Sequence, residues 1–177
     1  RILSKFSSKI FTTFTSSHKY FSKTKVVHTG NPVREEIKNI TPKKHLKDNF
    51  NILVFGGSLG AKKINETLVK TANDLKDIKI VHQTGKLTYD VTKASYNEIK
   101  NTNVELTTFI DDMSIAYQNA DLVICRAGAT SIAEIAIANK ASILIPYPFA
   151  TDNHQVVNAK ELVNLGGAIM IEESKLT

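Results

Sequence analysis

Ser58 lies within Gly56-Gly57-Ser58-Leu59-Gly60, and a second run of small residues, Arg126-Ala127-Gly128-Ala129-Thr130-Ser131, leads to Glu134. Each run follows a short apolar stretch, Asn51 to Phe55 and Leu122 to Cys125, and precedes a helical pattern. That is the layout of a strand, a tight turn and a helix N-terminus. Small residues admit a ligand close to the backbone, the first N–H groups of a helix lack internal partners, and the helix dipole favours negative charge there. A phosphate suits such a turn, and two turns together suit a diphosphate. Ser58 would cap its helix, hydrogen-bond a phosphate, or both. Glu134 carries the carboxylate that nucleotide sites use to accept from paired ribose hydroxyls. As an ordinary residue after an αβ turn it would instead be solvated.

Arg34 and Arg126 offer guanidinium forks for phosphate oxygens; each would otherwise form a surface ion pair of little energetic weight. Asp152-Asn153-His154-Gln155 puts polar groups at another helix start, where one would cap and the cluster would suit sugar hydroxyls. Asp111 and Asp112 look like a carboxylate pair for glycoside chemistry, but neighbours at a helix start diverge in direction, so N-terminal capping is the expected role. The glycine turn is not the G-x-G-x-x-G dinucleotide fingerprint and lacks the Lys-Ser/Thr ending of a P-loop, which Thr84-Gly85-Lys86 only echoes. No Ser/His/Asp arrangement or His-rich metal spacing emerges. A single cysteine, Cys125, excludes an internal disulfide and a cysteine-only zinc site; inside a strand it is expected to be a packed small hydrophobe.

Positioning these residues takes strands and helices in alternation. Strands are expected at Lys25 to Thr29, Asn51 to Phe55, Ile78 to His82, Val104 to Phe109, Leu122 to Cys125, Ser142 to Pro146 and Ala168 to Ile171. Between them, helical patterns run from Ala61 to Leu75, from after Lys86 to about Lys100, from Ile110 through Asn119, after Ala129, and from His154 to Leu165. Val33 to Asn39 adds a turn or two, and Thr41 to Asn49, polar and basic, reads as a surface loop. Such alternation predicts an α/β fold with a parallel sheet and helices on both faces. Ligands of open parallel sheets bind beyond the carboxyl ends of the strands. Gly56 to Gly60, Gln83 to Lys86, Ile110 to Met113, Arg126 to Ala129 and Pro146 to Gln155 all follow strands, so they converge on one edge.

The chain has 177 residues, 42% hydrophobic, which suits one globular domain, and no run reaches the length of a membrane span. Its net charge of +6 is uneven: residues 1–50 hold eleven Lys and Arg against three acids. Anionic lipid or nucleic acid are the partners such charge favours, but Phe6, Phe11, Phe14, Tyr20 and Phe21 recur at packing intervals, which disfavours nucleic acid. Residues 1–34 lack acids and are rich in Ser, Thr and Lys, like a transit peptide. The chain starts at Arg1, however, and Ile2, Leu3, Phe6, Ile10 and Phe14 would form one face of a helix. The expectation is therefore that residues 1–24 are the linker helix and end of a preceding domain.

Thr29-Gly-Asn-Pro-Val-Arg34, Phe55-Gly-Gly-Ser-Leu-Gly-Ala61, His82-Gln-Thr-Gly-Lys86, Phe109-Ile-Asp-Asp-Met113, Cys125-Arg-Ala-Gly-Ala129 with Glu134, and Asp152-Asn-His-Gln155 followed by Asn158-Ala159 occur in this order. Together they resemble the C-terminal half of the MurG family, bacterial glycosyltransferases that add N-acetylglucosamine to lipid I to give lipid II. The resemblance implies a Rossmann-like half of a two-domain GT-B fold, with residues 25–177 as the UDP-sugar-binding domain, truncated at its C-terminus. It implies that Arg34 and Ser58 contact the diphosphate and that the Ile110 backbone meets uracil. Ala129, Thr130 and Ser131, next to Gly128 and Arg126, would line the phosphate and sugar site. Glu134 would hold the ribose, and His154 and Gln155 would face the sugar. The family usually has Ser or Gly where Ala127 stands.

The resemblance further implies inverting transfer with no cofactor or metal. The acceptor lipid I and the catalytic base would belong to the absent N-terminal domain, and the enzyme would sit peripherally on the cytoplasmic face of the bacterial inner membrane. By this reading the chain alone is inactive. The alternatives are a non-catalytic nucleotide-sugar-binding subunit of a split glycosyltransferase, or a related glycolipid synthase.

Overall fold

The computed structural model describes residues 2–41, 50–99 and 103–177. The helix expected to carry Ile2, Leu3, Phe6, Ile10 and Phe14 does not form. Instead a 3-10 turn, Leu3–Lys5, is followed by strand β1 (Ile10–Thr12), a 3-10 stretch, Thr15–Tyr20, and β2 (Val26–His28). The cause is local. Ile10 to Phe14 is wholly β-branched and aromatic, residues that lose rotamer freedom in a helix and pack well on a pleated surface. β1 and β2 pair in parallel, Ile10 opposite Val26 and Thr12 opposite His28, so this small unit spans the boundary expected between residues 24 and 25.

After a single helical turn, α1 (Glu35–Lys38), the regular alternation begins: β3 (Asn51–Phe55), α2 (Lys62–Thr71), β4 (Lys79–Gln83), α3 (Tyr89–Asn97), β5 (Val104–Thr107), α4 (Met113–Asn119), β6 (Leu122–Cys125), α5 (Ala129–Ile137), β7 (Ala141–Leu144), α6 (His154–Asn164) and β8 (Ala168–Met170). The predicted surface loop falls largely outside the described residues, as does the predicted end of the helix near Lys100. The six later strands form one sheet in the order β5-β4-β3-β6-β7-β8, every pair parallel.

Alternation along β3 shows why both faces are covered. Ile52 and Val54 join Ile64 and Leu68 of α2 and Ile80 in one buried cluster. Leu53 and Phe55 join Tyr117, Ile132, Ile135 and Leu162, from α4, α5 and α6, in the other. Side chains that alternate at period two on a central strand must find apolar partners on both sides. Cys125 is fully buried, the packed small hydrophobe the sequence suggested.

One buried polar network crosses the α2 and α3 side. The ring of His82, wholly buried, lies 3.1 Å from the Tyr96 hydroxyl at Nδ1 and 3.0 Å from Asn65 Oδ1 at Nε2. Asn65 Nδ2 in turn donates to the Thr84 carbonyl and the Thr88 hydroxyl. A buried polar group is tolerable when it is paired, and this chain of bonds ties β4 and its following turn to both helices. No helix among the described residues is long and apolar enough to cross a membrane.

Candidate functional site

Strand order fixes where the site lies. From β3 the chain winds outward through β4 to β5, then returns to the middle as β6 and winds the other way through β7 to β8. β3 and β6 are therefore neighbours whose following connections part in opposite directions, the place where open parallel sheets hold their ligands. The Ser58 turn and the Gly128 turn are those two connections.

The Ser58 turn is held by backbone geometry. Gly60 N–H donates to the Gly57 carbonyl at 2.9 Å, leaving Ser58 and Leu59 exposed at the tip. Gly60 has φ +79°, and a Cβ there would run into the carbonyl of Thr84, so this turn and the one after β4 interlock through Gly60 and Gly85. Gln83 Nε2 adds a bond to the Gly57 carbonyl at 3.1 Å. Ser58 does not cap α2: the N-cap position is Ala61, and no side chain accepts from that helix start.

The Gly128 turn is built differently. Gly128 has φ −67°, open to any residue, and a Cβ there would meet only Ser131 Oγ at 3.8 Å. Neither the backbone nor the packing demands glycine there. From α6, buried Asn158 donates to the Ala127 carbonyl at 3.1 Å and fixes the turn. Ala127 is itself fully buried, so its side chain faces no ligand. Ala129, Thr130 and Ser131 form the first turn of α5, where N–H groups lack internal acceptors. Asn31 Nδ2 reaches Thr130 Oγ1 at 3.5 Å.

Glu134 is not solvated. Its side chain is 7% exposed and is gripped from two sides, by Arg34 Nη2 at 3.0 Å on Oε1 and by the Tyr117 hydroxyl at 3.2 Å on Oε2. Burial pushes the Tyr117 phenol well up, with Cys125 and Glu134 adding to the shift, so it stays a proton donor to the carboxylate. Arg34, half exposed, reaches Glu134 from the residue before α1. Neither arginine is the inconsequential surface pair considered from sequence. Arg126 is mostly buried, its guanidinium bonded to Glu173, to the Ile145 carbonyl at 3.3 Å and the Pro146 carbonyl at 3.2 Å, and lying 5.4 Å from the Tyr147 ring centre.

Asp112 is the N-cap of α4. Its Oδ1 accepts from the backbone N–H of Ser114 at 2.9 Å and of Ile115 at 3.1 Å, and from the Ser114 hydroxyl at 2.6 Å. That hydroxyl, then the Ile115 amide, holds its carboxyl below the ordinary range. Ile110, partly buried against the core, leads into this cap. At the start of α6, Asp152 and Asn153 take successive left-handed conformations, φ +53° and +51°, and no side chain caps the helix. His154 Nδ1 lies 2.7 Å from the Thr151 carbonyl, and Gln155 Oε1 accepts from Tyr147 N–H at 2.9 Å.

A hollow of about 820 Å³ is lined by Ile110 and Asp112 but by none of the other candidate site residues singled out from sequence. It runs beside the edge strand β5 over Leu53, Val81 and Ala116. At the strand switch, the first-turn N–H groups of α5 suit an anionic group and the buried Glu134 carboxylate suits hydroxyl donors. Four residues that shape this site carried no role in the sequence reading: Tyr117, Asn158, Gln83 and Glu173. Asn158 stood within a recognised motif, and Tyr117 four residues after Met113 on one helical face, but nothing in spacing indicates what a side chain bonds to across the sheet.

The family described as the glycosyltransferase family 28 C-terminal domain matches residues 51–177. Over 182 aligned residues, covering all of this chain, it is 44% identical to the UDP-N-acetylglucosamine–N-acetylmuramyl-(pentapeptide) pyrophosphoryl-undecaprenol N-acetylglucosamine transferase of Myxococcus xanthus, covering 47% of that protein. The transferase of the same name from Syntrophus aciditrophicus is likewise 44% identical, with 50% of its length covered. Among solved structures, that of Acinetobacter baumannii MurG superposes with a TM-score of 0.78 at 36% identity, over 99% of this chain and 50% of that one. The chain thus spans about half the length of the relatives it matches.

Proposed function

Because this chain belongs to the glycosyltransferase family 28 C-terminal domain family, we propose that it supplies the donor half of a transferase that moves N-acetylglucosamine from UDP-N-acetylglucosamine to lipid I. The supporting observation is the pair of turns at the sheet's switch point, one bearing Ser58 and the other opening α5 at Gly128, with buried Glu134 behind them. The diphosphate lies between the turns, taking N–H groups of Ala129, Thr130 and Ser131 on one side and the Ser58 hydroxyl on the other, with Arg34 close by. Glu134 accepts from the ribose hydroxyls, the Ile110 backbone meets the uracil, and His154 and Gln155 face the sugar.

The chemistry is displacement at the anomeric carbon by the acceptor's C4 hydroxyl. The bond from C1 to the β-phosphate oxygen breaks, its electron pair passes to UDP, and the hydroxyl proton leaves to a base. Negative charge grows on the pyrophosphate as that bond lengthens. Preorganised N–H groups and a helix dipole aimed there stabilise the transition state more than the ground state. Acceptor binding and the base belong to the other half of the enzyme, which docks peripherally on the cytoplasmic face of the inner membrane. Calorimetric titration of the chain with UDP-N-acetylglucosamine, UDP-glucose and UDP-galactose tests the reading. Preference for the first is expected, and absence of binding to all three would refute it.

A further inference from the structure

Resting on that donor-site reading, we infer that Arg126 is a positioning residue for the sugar end of the site and not a ligand of the diphosphate. The residue stands on the phosphate turn, yet its guanidinium points away into the space between the ends of β7 and β8. Nη1 is shared between the carbonyls of Ile145 and Pro146, Nη2 holds the Glu173 carboxylate, and the plane lies near the Tyr147 ring. The Arg126 and Glu173 side chains are 13% and 20% exposed. Swinging the guanidinium to a phosphate would strand a largely buried carboxylate and two carbonyls, a cost that outweighs one exchanged contact.

What the clamp fixes is the segment from Pro146 to Gln155. Pro146 is pinned by its carbonyl and Tyr147 by its ring, and Tyr147 N–H donates to Gln155 Oε1. The carboxamide of Gln155 is thereby oriented from Arg126 through two intermediates. Glu173, in the 3-10 turn after β8 (Glu173–Lys175), locks the arrangement from the far side. Arg126 thus joins the phosphate turn to the sugar-facing loop, alongside the bond from Asn158 to the Ala127 carbonyl.

Glu173→Gln and Arg126→Lys test this, the first removing only the clamp's charge and the second its fork. Calorimetry compares UDP with UDP-N-acetylglucosamine, and hydrogen exchange follows the amides of residues 147–153. In both variants, exchange there is expected to rise about tenfold. Affinity for UDP-N-acetylglucosamine falls about five- to tenfold while that for UDP stays within about twofold. If both nucleotides lose affinity in parallel in Arg126→Lys while Glu173→Gln behaves as wild type, Arg126 touches the diphosphate and the inference is wrong. Unchanged exchange in both variants overturns it without reference to any nucleotide. A wild-type chain that binds neither nucleotide takes down the donor-site reading and this inference together. Wild-type binding of both, with variants that keep the wild-type ratio of the two affinities, takes down the inference alone.

Discussion

Arg34 Nη2 donates to Glu134 Oε1 at 3.0 Å, joining two residues that the proposed function assigns to different parts of one ligand. The pair has a physical logic. A carboxylate as buried as Glu134 needs a compensating charge or donors, and Arg34 with the Tyr117 hydroxyl supplies both. A nucleotide bringing ribose hydroxyls for Glu134 and a diphosphate for Arg34 can exchange these partners without leaving either charge unpaired.

From this follows a ligand-specific signature for Glu134. Glu134→Ala is expected to weaken UDP binding about tenfold or more, since hydrogen bonds to a charged group are the stronger kind. If the contact is to the ribose, the variant also stops distinguishing UDP from 2′-deoxy-UDP, which the wild type discriminates. Calorimetry with both nucleotides decides; undiminished discrimination in Glu134→Ala would remove the ribose role. Glu134→Ala leaves the buried Tyr117 hydroxyl unpaired, so thermal unfolding should show a stability loss of about 1–3 kcal/mol.

The two glycine turns predict opposite outcomes for the same substitution. At Gly128 an alanine finds φ −67° and only an ordinary contact with Ser131 Oγ, so Gly128→Ala should fold with a midpoint near wild type while UDP binding drops sharply. At Gly60 an alanine meets φ +79° and the Thr84 carbonyl, so Gly60→Ala should lose about 2 kcal/mol or more of stability. Thermal melts with and without UDP separate the two. A destabilised Gly128→Ala would mean that glycine there serves the fold.

Asp112 separates capping from chemistry. Its carboxylate satisfies two orphan N–H groups of α4, so Asp112→Ala should lower the midpoint of urea unfolding. UDP affinity is expected to stay within about twofold of wild type. A large loss of binding at unchanged stability would assign the side chain to the ligand instead.

Much of this architecture was legible because it is written in local pattern. β3 and β6 fall where short apolar runs give way to turns of small residues, and the alternation of elements forces a parallel sheet whose strand ends gather the polar residues. The first fourteen residues were misread because Ile2, Leu3, Phe6, Ile10 and Phe14 fit a helical period, whereas the choice of strand came from β-branched content and from β2, a partner distant in sequence. The same limit hid the fate of Arg126. Its charge was readable, but Glu173 lies 47 residues away on another turn, and only the packing of β7 and β8 brings them together.

His82 makes the fold itself sensitive to acid. Burial lowers its pKa from 6.5 to about 4, because a charged imidazole between Asn65 and Tyr96 would lack water. The folded pKa lies below the unfolded one, so between those values the unfolded chain binds more protons and stability rises with pH. Stability contributed by neutral His82 is therefore full above about pH 6.5 and is lost progressively as pH falls towards 4, by about 3 kcal/mol in all. Urea unfolding at pH 7.5, 5.5 and 4.5 should show that decline. His82→Gln should be less stable at pH 7.5, since Asn65 and Tyr96 lose a partner of matched reach, yet its stability should change less across the same interval. An equally steep decline in the variant would assign the acid sensitivity to other groups.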